Sequence, residues 1–208
     1  MKKAILFDID GTLLDAYDFV FESVKNSVIA HNLPPLTNKK IKEALGKPLA
    51  QFYQTLFPGI DPGDLAKTHR EFQENNFHLI KPFTKTKTVL QQLKDEGFLI
   101  AAVSNRLRLS LIKSLKLTGT IDYFDVIVCA DDVKNPKPHQ EHLLVALEQL
   151  KVEPANAYMV GDTDQDILAG KNAQVKTVGV TYGFLGPEIR KYNPDFIIDK
   201  IEHLSALL

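Results

Sequence analysis

Hydrophobic positions along the chain follow two alternating patterns. Unbroken apolar runs at residues 4–7, 98–103, 126–130, 157–160 and 177–180 predict strands buried on both faces, as in a parallel sheet. Between them apolar residues recur at helical spacing: Val89, Leu90 and Leu93 within 87–96, the segment 107–117, and Leu143, Leu144, Leu147 and Leu150 within 142–151. Gly97 and Gly119 stand where helix C-caps are expected. Strands alternating with helices predict a doubly wound, Rossmann-like α/β core whose ligand site lies at the carboxyl ends of the strands.

Residues 16–81 break that rhythm, because they hold no strand-like run and read as consecutive helices. Val20, Phe21, Val24 and Val28 mark a helix over 17–30 that ends at Asn32-Leu33-Pro34-Pro35. Thr37 is expected to cap 39–45, Gly46 to stop it, and Pro48 to open the next segment. Asp61-Pro62-Gly63-Asp64 starts a long helix expected to reach about Leu79, before Lys81-Pro82. The expected organisation is therefore an α/β core of 1–15 and 82–208, with an all-helical cap of 16–81 inserted after the first strand.

Two acidic clusters, Asp8-Ile9-Asp10-Gly11-Thr12 and Gly161-Asp162-Thr163-Asp164-Gln165-Asp166, each follow a predicted strand and so share one crevice. Carboxylates gathered in a partly desolvated space raise one another's pKa, so a cation is expected among them. A hard divalent ion, Mg2+ above all, takes one or two carboxylates and fills its shell with water and substrate phosphate. An EF-hand loop fails on spacing: counted from Asp8, its position-six Gly is Leu13 and its position-twelve Glu is Phe19. Phosphoryl chemistry is the reading that follows.

Composition narrows the remaining classes. Of 208 residues, 44% are hydrophobic and 25% charged, ordinary for a globular chain able to bury a substantial core. Lys plus Arg (25) nearly balances Asp plus Glu (26) with no basic run, which disfavours nucleic-acid or anionic-membrane partners. No apolar stretch approaches the roughly 20 residues of a bilayer span. Neither a signal peptide nor an anchor is read, so a cytoplasmic location is expected, with the protein a monomer or small homo-oligomer. Cys129 is the sole cysteine and is expected to be a buried, inert thiol. His31, His69, His78, His139, His142 and His203 show no metal-ligand spacing.

Asp8 is the expected nucleophile, since a carboxylate attacking phosphorus splits one hard displacement into two. Asp10 is expected as general acid and then base, and Gly11 allows backbone N–H groups close to a phosphate. Asp162 is the expected second metal ligand, with Thr163 available as helix cap. Asp166, one turn on, either holds a metal-bound water or orients a lysine. Ser104 and Asn105 offer donors at a strand end, and Lys137 is aimed by its flanking prolines. Alone, each has a plainer reading: a capping aspartate, a Ser-Asn turn, a solvated lysine.

Asp8-x-Asp10-Gly11-Thr12-Leu13-x-Asp15, then Ser104-Asn105, then Lys137-Pro138, then Gly161-Asp162-Thr163-x-x-Asp166 together resemble the haloacid dehalogenase superfamily of phosphotransferases over nearly the whole chain. The resemblance implies Mg2+ on the Asp8 side chain, the Asp10 backbone carbonyl and Asp162, with Ser104 and Lys137 on the phosphate. Asp10 argues for phosphatase, because the dehalogenases lack that second aspartate. Leu33-Pro34-Pro35-Leu36-Thr37 with Leu45-Gly46-Lys47-Pro48-Leu49 is similar to the cap of phosphoglycolate phosphatase-like enzymes. Departures include Arg106 where lysine is frequent, Gln140 for a second proline, and Gln174 for glycine. The mutases of this branch carry a cap histidine where this chain reads Phe19-Val20-Phe21, which disfavours mutase activity. The expected partner is a small phosphorylated metabolite, 2-phosphoglycolate first. Pyrophosphate, nucleotides and sugar phosphates remain open, as does a non-catalytic binding module. Lys47 and Arg106 are the expected readers of an acidic leaving group.

Overall fold

The computed structural model describes residues 2–207. Six parallel strands form the central sheet in the order β5-β4-β1-β6-β7-β8: β1 (Ala4–Phe7), β4 (Leu99–Val103), β5 (Val126–Val128), β6 (Ala157–Gly161), β7 (Lys176–Val180) and β8 (Phe196–Ile198). The chain builds outward from β1 through β4 to β5, then crosses to β6 on the other side. A crevice therefore opens at the carboxyl end of β1, the switch point of a doubly wound sheet.

Period-two alternation sends successive residues of β1 to opposite faces. Ile5 and Phe7 join a cluster with Leu90, Leu93, Leu111 and Leu115, from α5 (Thr86–Asp95) and α6 (Arg108–Leu117). Ala4 and Leu6 join another with Leu143, Leu147 and Ala169, from α7 (Glu141–Leu150) and α8 (Asp164–Asn172). All four β1 side chains are fully buried, which explains the unbroken apolar runs. Phe7 lies beside Ala102 on one flank and Val160 on the other, so this register brings Asp8, Ser104 and Asp162 to one level.

Residues between β1 and β4 form α1 (Tyr17–Ala30), α2 (Asn38–Lys42), α3 (Leu49–Leu56) and α4 (Pro62–Asn75). Thr37 caps α2 by accepting from Lys40 N at 3.2 Å, and Asp61 caps α4 by accepting from Gly63 N at 2.8 Å. Helix α1 packs on α4 through Val24 and Val28, with Ser27 Oγ 3.2 Å from Leu65 O.

Several expectations need correction. Helix α4 stops at Asn75, and Phe77–Leu79 is a separate 3-10 turn that buries Phe77. Helix α2 is only five residues long. The stretch read as free of strands ends in one: β2 (Leu14–Asp15) pairs antiparallel with β3 (Lys81–Pro82), stitching together the two ends of the helical insertion. Ala130 leaves the strand for a 3-10 turn, and β8 extends the sheet by an unforeseen strand. Cys129 is buried as expected, and burial pushes its thiol up to about 12.

Candidate active site

Backbone pairing first fixes the frame: Asp8 N donates to Val160 O at 2.9 Å and Ser104 N to Val128 O at 3.0 Å. Directly beyond β1, carboxylate oxygens of Asp8, Asp162 and Asp166 lie within 4.8 Å of one another, and all three residues are buried. Lys137, 2% exposed, sits among them. Its Nζ donates to Asp8 Oδ1 at 2.8 Å, Asp166 Oδ1 at 2.6 Å and Val103 O at 2.9 Å, which uses all three ammonium protons. Asp166 is fixed in turn by Thr163, whose N and Oγ1 reach Oδ2 at 3.0 and 2.6 Å in the capping box that starts α8. Asp166 thus orients a lysine, one of the two roles expected of it.

Asp162 Oδ1 accepts from Thr12 Oγ1 at 3.1 Å and Oδ2 from Phe184 N at 2.7 Å. Burial nevertheless drives its pKa well above the usual carboxylate range, helped by the charges of Asp8 and Asp166. Asp8 rises to about 7, chiefly through burial, against the opposing pull of Lys137. Gly11 and Gly183 both lie close against Asp162, and a Cβ at either would collide with that residue. Three buried carboxylates facing one ammonium leave negative charge uncompensated, and an all-oxygen donor set suits a hard divalent cation. The site's own residues therefore fit Mg2+.

Ser104 Oγ accepts from Arg106 N at 3.2 Å, the plain turn geometry, and the hydroxyl still has its proton to donate. Asn105 departs from expectation. Its Nδ2 donates to Gly46 O at 2.7 Å and Lys137 O at 2.9 Å, while Oδ1 accepts from Lys137 N at 3.0 Å. Both amide hydrogens are committed, so the side chain clasps the Lys137 loop to the helical insertion and has none for a phosphate. Gly46, at φ +79, meets the core so closely that a Cβ would press on Thr163 Oγ1 at 2.7 Å. Arg106 also differs: one terminal nitrogen contacts both oxygens of Asp10, at 3.0 and 3.2 Å.

A cavity of about 340 Å³ opens from Asp8 and Asp10 toward the insertion, walled by Phe19, Leu45, Leu49 and Phe52. Lys47 lines it with its Nζ on Thr55 Oγ1 at 3.1 Å, and Arg70 is a further cation. His69 is a lining residue that sequence reasoning passed over. Its Nδ1 contacts Tyr53 Oη at 2.9 Å and its Nε2 contacts Gln73 at 2.8 Å. Burial, with lesser help from Arg106 and Arg70, lowers it to about 3, so the imidazole is neutral. The available signal was its place on the Leu65/Ala66 face of α4, a face that also marks a core residue.

The family model for haloacid dehalogenase-like hydrolases matches residues 5–180. The chain belongs to that family. Pyrophosphatase PpaX of Bacillus pumilus is 34% identical over 210 residues, covering 99% of this chain and 96% of that one. Pyrophosphatase PpaX of Bacillus velezensis is 34% identical over 206 residues, covering 97% and 94%. Among solved structures, a predicted phosphoglycolate phosphatase from Haemophilus somnus superposes with TM-score 0.90 at 22% identity over 99% of this chain and 97% of that one. A predicted phosphatase from Clostridium acetobutylicum does so with TM-score 0.89 at 23% identity over 100% and 98%. These two likenesses are of fold. As a haloacid dehalogenase-like hydrolase the chain is an enzyme of the phosphatase kind, as its ordered motifs implied.

Proposed function

We propose that this hydrolase is a Mg2+-dependent phosphatase that works through an aspartyl-phosphate on Asp8 and acts on small substrates with an anionic leaving group. The observation that carries the reading is the buried constellation of Asp8, Asp162 and Lys137 at one strand end, opening into a cavity lined by Lys47, Arg70 and Arg106. Pyrophosphate is placed ahead of 2-phosphoglycolate because two relatives at 34% identity are pyrophosphatases. The cavity of about 340 Å³ has room for either.

Asp8 and Asp162, with the Asp10 backbone carbonyl, are the residues that would hold Mg2+. When bound there, the ion would supply positive charge to offset that of the carboxylates and of the phosphate. An Asp8 oxygen attacks phosphorus as the bond to the leaving oxygen breaks, and Asp10, carrying a proton taken from solvent, gives it to that oxygen. Asp10 then takes a proton from the water that opens the aspartyl-phosphate, returning both residues to their starting state. Lys137 holds Asp8 in line and offsets the charge of the transferring group, with the Ser104 hydroxyl and the Gly11 turn as further donors. Residues 16–81 act as the cap over a core of 1–15 and 82–208, screening the reaction from bulk water. No helix among the described residues is long and apolar enough to cross a membrane.

The test is Mg2+-dependent phosphate release from pyrophosphate and 2-phosphoglycolate by wild type and Asp8→Asn. The reading expects turnover in the wild type alone. Equal turnover by Asp8→Asn would refute the covalent route.

A further inference from the structure

Arg106 is the most tightly held cation lining the cavity, and its anchors do not depend on Asp10. One terminal nitrogen donates to Ser110 Oγ at 2.6 Å, Ser114 Oγ at 2.9 Å and Ser110 O at 3.2 Å, all on α6. The guanidinium lies over the Phe19 ring of α1, 5.2 Å from its centroid. The other terminal nitrogen holds both oxygens of Asp10, a second residue lining the cavity. The pair is sheltered, with side chains 16% and 13% exposed, so solvent screens it weakly. Asp10 is therefore parked on a fixed cation in the free site.

We propose that Arg106 senses the leaving group and releases Asp10 only when that group carries a negative charge of its own. The inference rests on the phosphatase reading above. A carboxylate or second phosphate beyond the scissile bond enters the cavity where Asp10 now meets Arg106. This nitrogen has two N–H groups and already contacts both oxygens of Asp10, so an incoming anion competes with Asp10 for them, and the serines and Phe19 keep the guanidinium from following Asp10. The incoming anion takes Arg106, and Asp10 turns to the leaving oxygen. A substrate with a neutral leaving group leaves the pair intact and Asp10 misplaced. Arg106 is thus a positioning residue, and selectivity arises in kcat as well as in KM.

A matched pair of esters isolates the charge: 2-phosphoglycolate, and 2-hydroxyethyl phosphate with a hydroxymethyl group in place of the carboxylate. Pyrophosphate is run alongside. In Arg106→Gln the KM for 2-phosphoglycolate should rise about tenfold while kcat for 2-hydroxyethyl phosphate rises severalfold, because nothing holds Asp10 back. Ser110→Ala, which loosens the anchor but keeps the cation, should shift both values the same way by less. Opposed signs on the two esters support the switch. A fall in kcat on both esters, or an unchanged kcat on the neutral one, overturns it, as does a collapse of both variants in thermal melts. Wild type inert toward all three substrates would instead remove the phosphatase reading, and this one with it.

Discussion

The two walls of the cavity are built on opposite principles. On the sheet side, Asp8, Asp162, Asp166 and Lys137 are buried ionisable groups: Lys137 ties Asp8 to Asp166, while Asp162 is held by Thr12 and the Phe184 backbone. On the α1–α4 side, Phe19, Leu45, Leu49 and Phe52 form an apolar surface with a neutral His69, joined by the cations Lys47 and Arg70. Fixed charge in a dry pocket stabilises charge that develops during phosphoryl transfer and needs no rearrangement. An apolar wall confers shape selection worth only a few kcal/mol. On the proposed function one side holds the chemistry and the other the choice of substrate, so substitutions on the two should fail differently.

The most severe failure should come from Asp8→Asn, which on the proposed mechanism removes the nucleophile and should lower kcat by about 10^4-fold or more while the melting temperature holds or rises. Loss of fold instead would mean that Asp8 serves structure. Lys137→Met should come next. It strands Asp8 and Asp166 as buried carboxylates without their cation, a loss on the order of 3–5 kcal/mol in urea unfolding. Added MgCl2 should restore part of that loss if Asp8 and Asp162 take the ion. A full loss undiminished by Mg2+ would argue against a metal between them.

How much of this was legible in the sequence follows the same division. Strand ends are short and local, so Asp8, Asp10 and Asp162 stood out by following apolar runs, and Thr163 was legible as a helix cap, although its reciprocal bond with Asp166 was not foreseen. Helix α1 was bounded correctly because Phe21, Val24 and Val28 keep helical period along its buried face. What stayed hidden depends on distant partners. Asn105 binds Gly46 and Lys137, 59 and 32 residues away, and the Arg106–Asp10 pair spans 96. Strand β8 has three residues and the β2–β3 ribbon two per strand, too short for a period to show, and Pro82 argues locally against a strand.

Asn105 joins the two walls, so it tests whether they act independently. Asn105→Ala removes the clasp at Gly46 O and both bonds to the Lys137 backbone. Leaving those groups unpaired should cost on the order of 1–3 kcal/mol in urea unfolding and lower kcat/KM about tenfold on every substrate alike. A change confined to KM for acidic substrates would place Asn105 with the selective wall instead.

The smallest effect should separate two buried histidines, one on each side. His69 is satisfied by Tyr53 and Gln73, whereas both ring nitrogens of His142 are buried without a hydrogen-bond partner among the described residues. Burial first, and the Lys137 charge second, push His142 down to about 4 from an ordinary 6.5, against weaker backbone interactions with Ser104 and Cys129 that fall short of full hydrogen-bond geometry. A folded pKa below the unfolded one means that stability is whole above about pH 6.5 and drains as pH falls toward about 4. His142→Leu should therefore cost little at pH 7.5 and flatten the acid decline by on the order of 1–3 kcal/mol, read from urea midpoints at several pH values. His69→Leu should already cost stability at pH 7.5, because it orphans Tyr53 Oη and the Gln73 amide. If both variants lose equally at neutral pH, His142 has a partner in solution and the contrast between the two walls does not extend to their histidines.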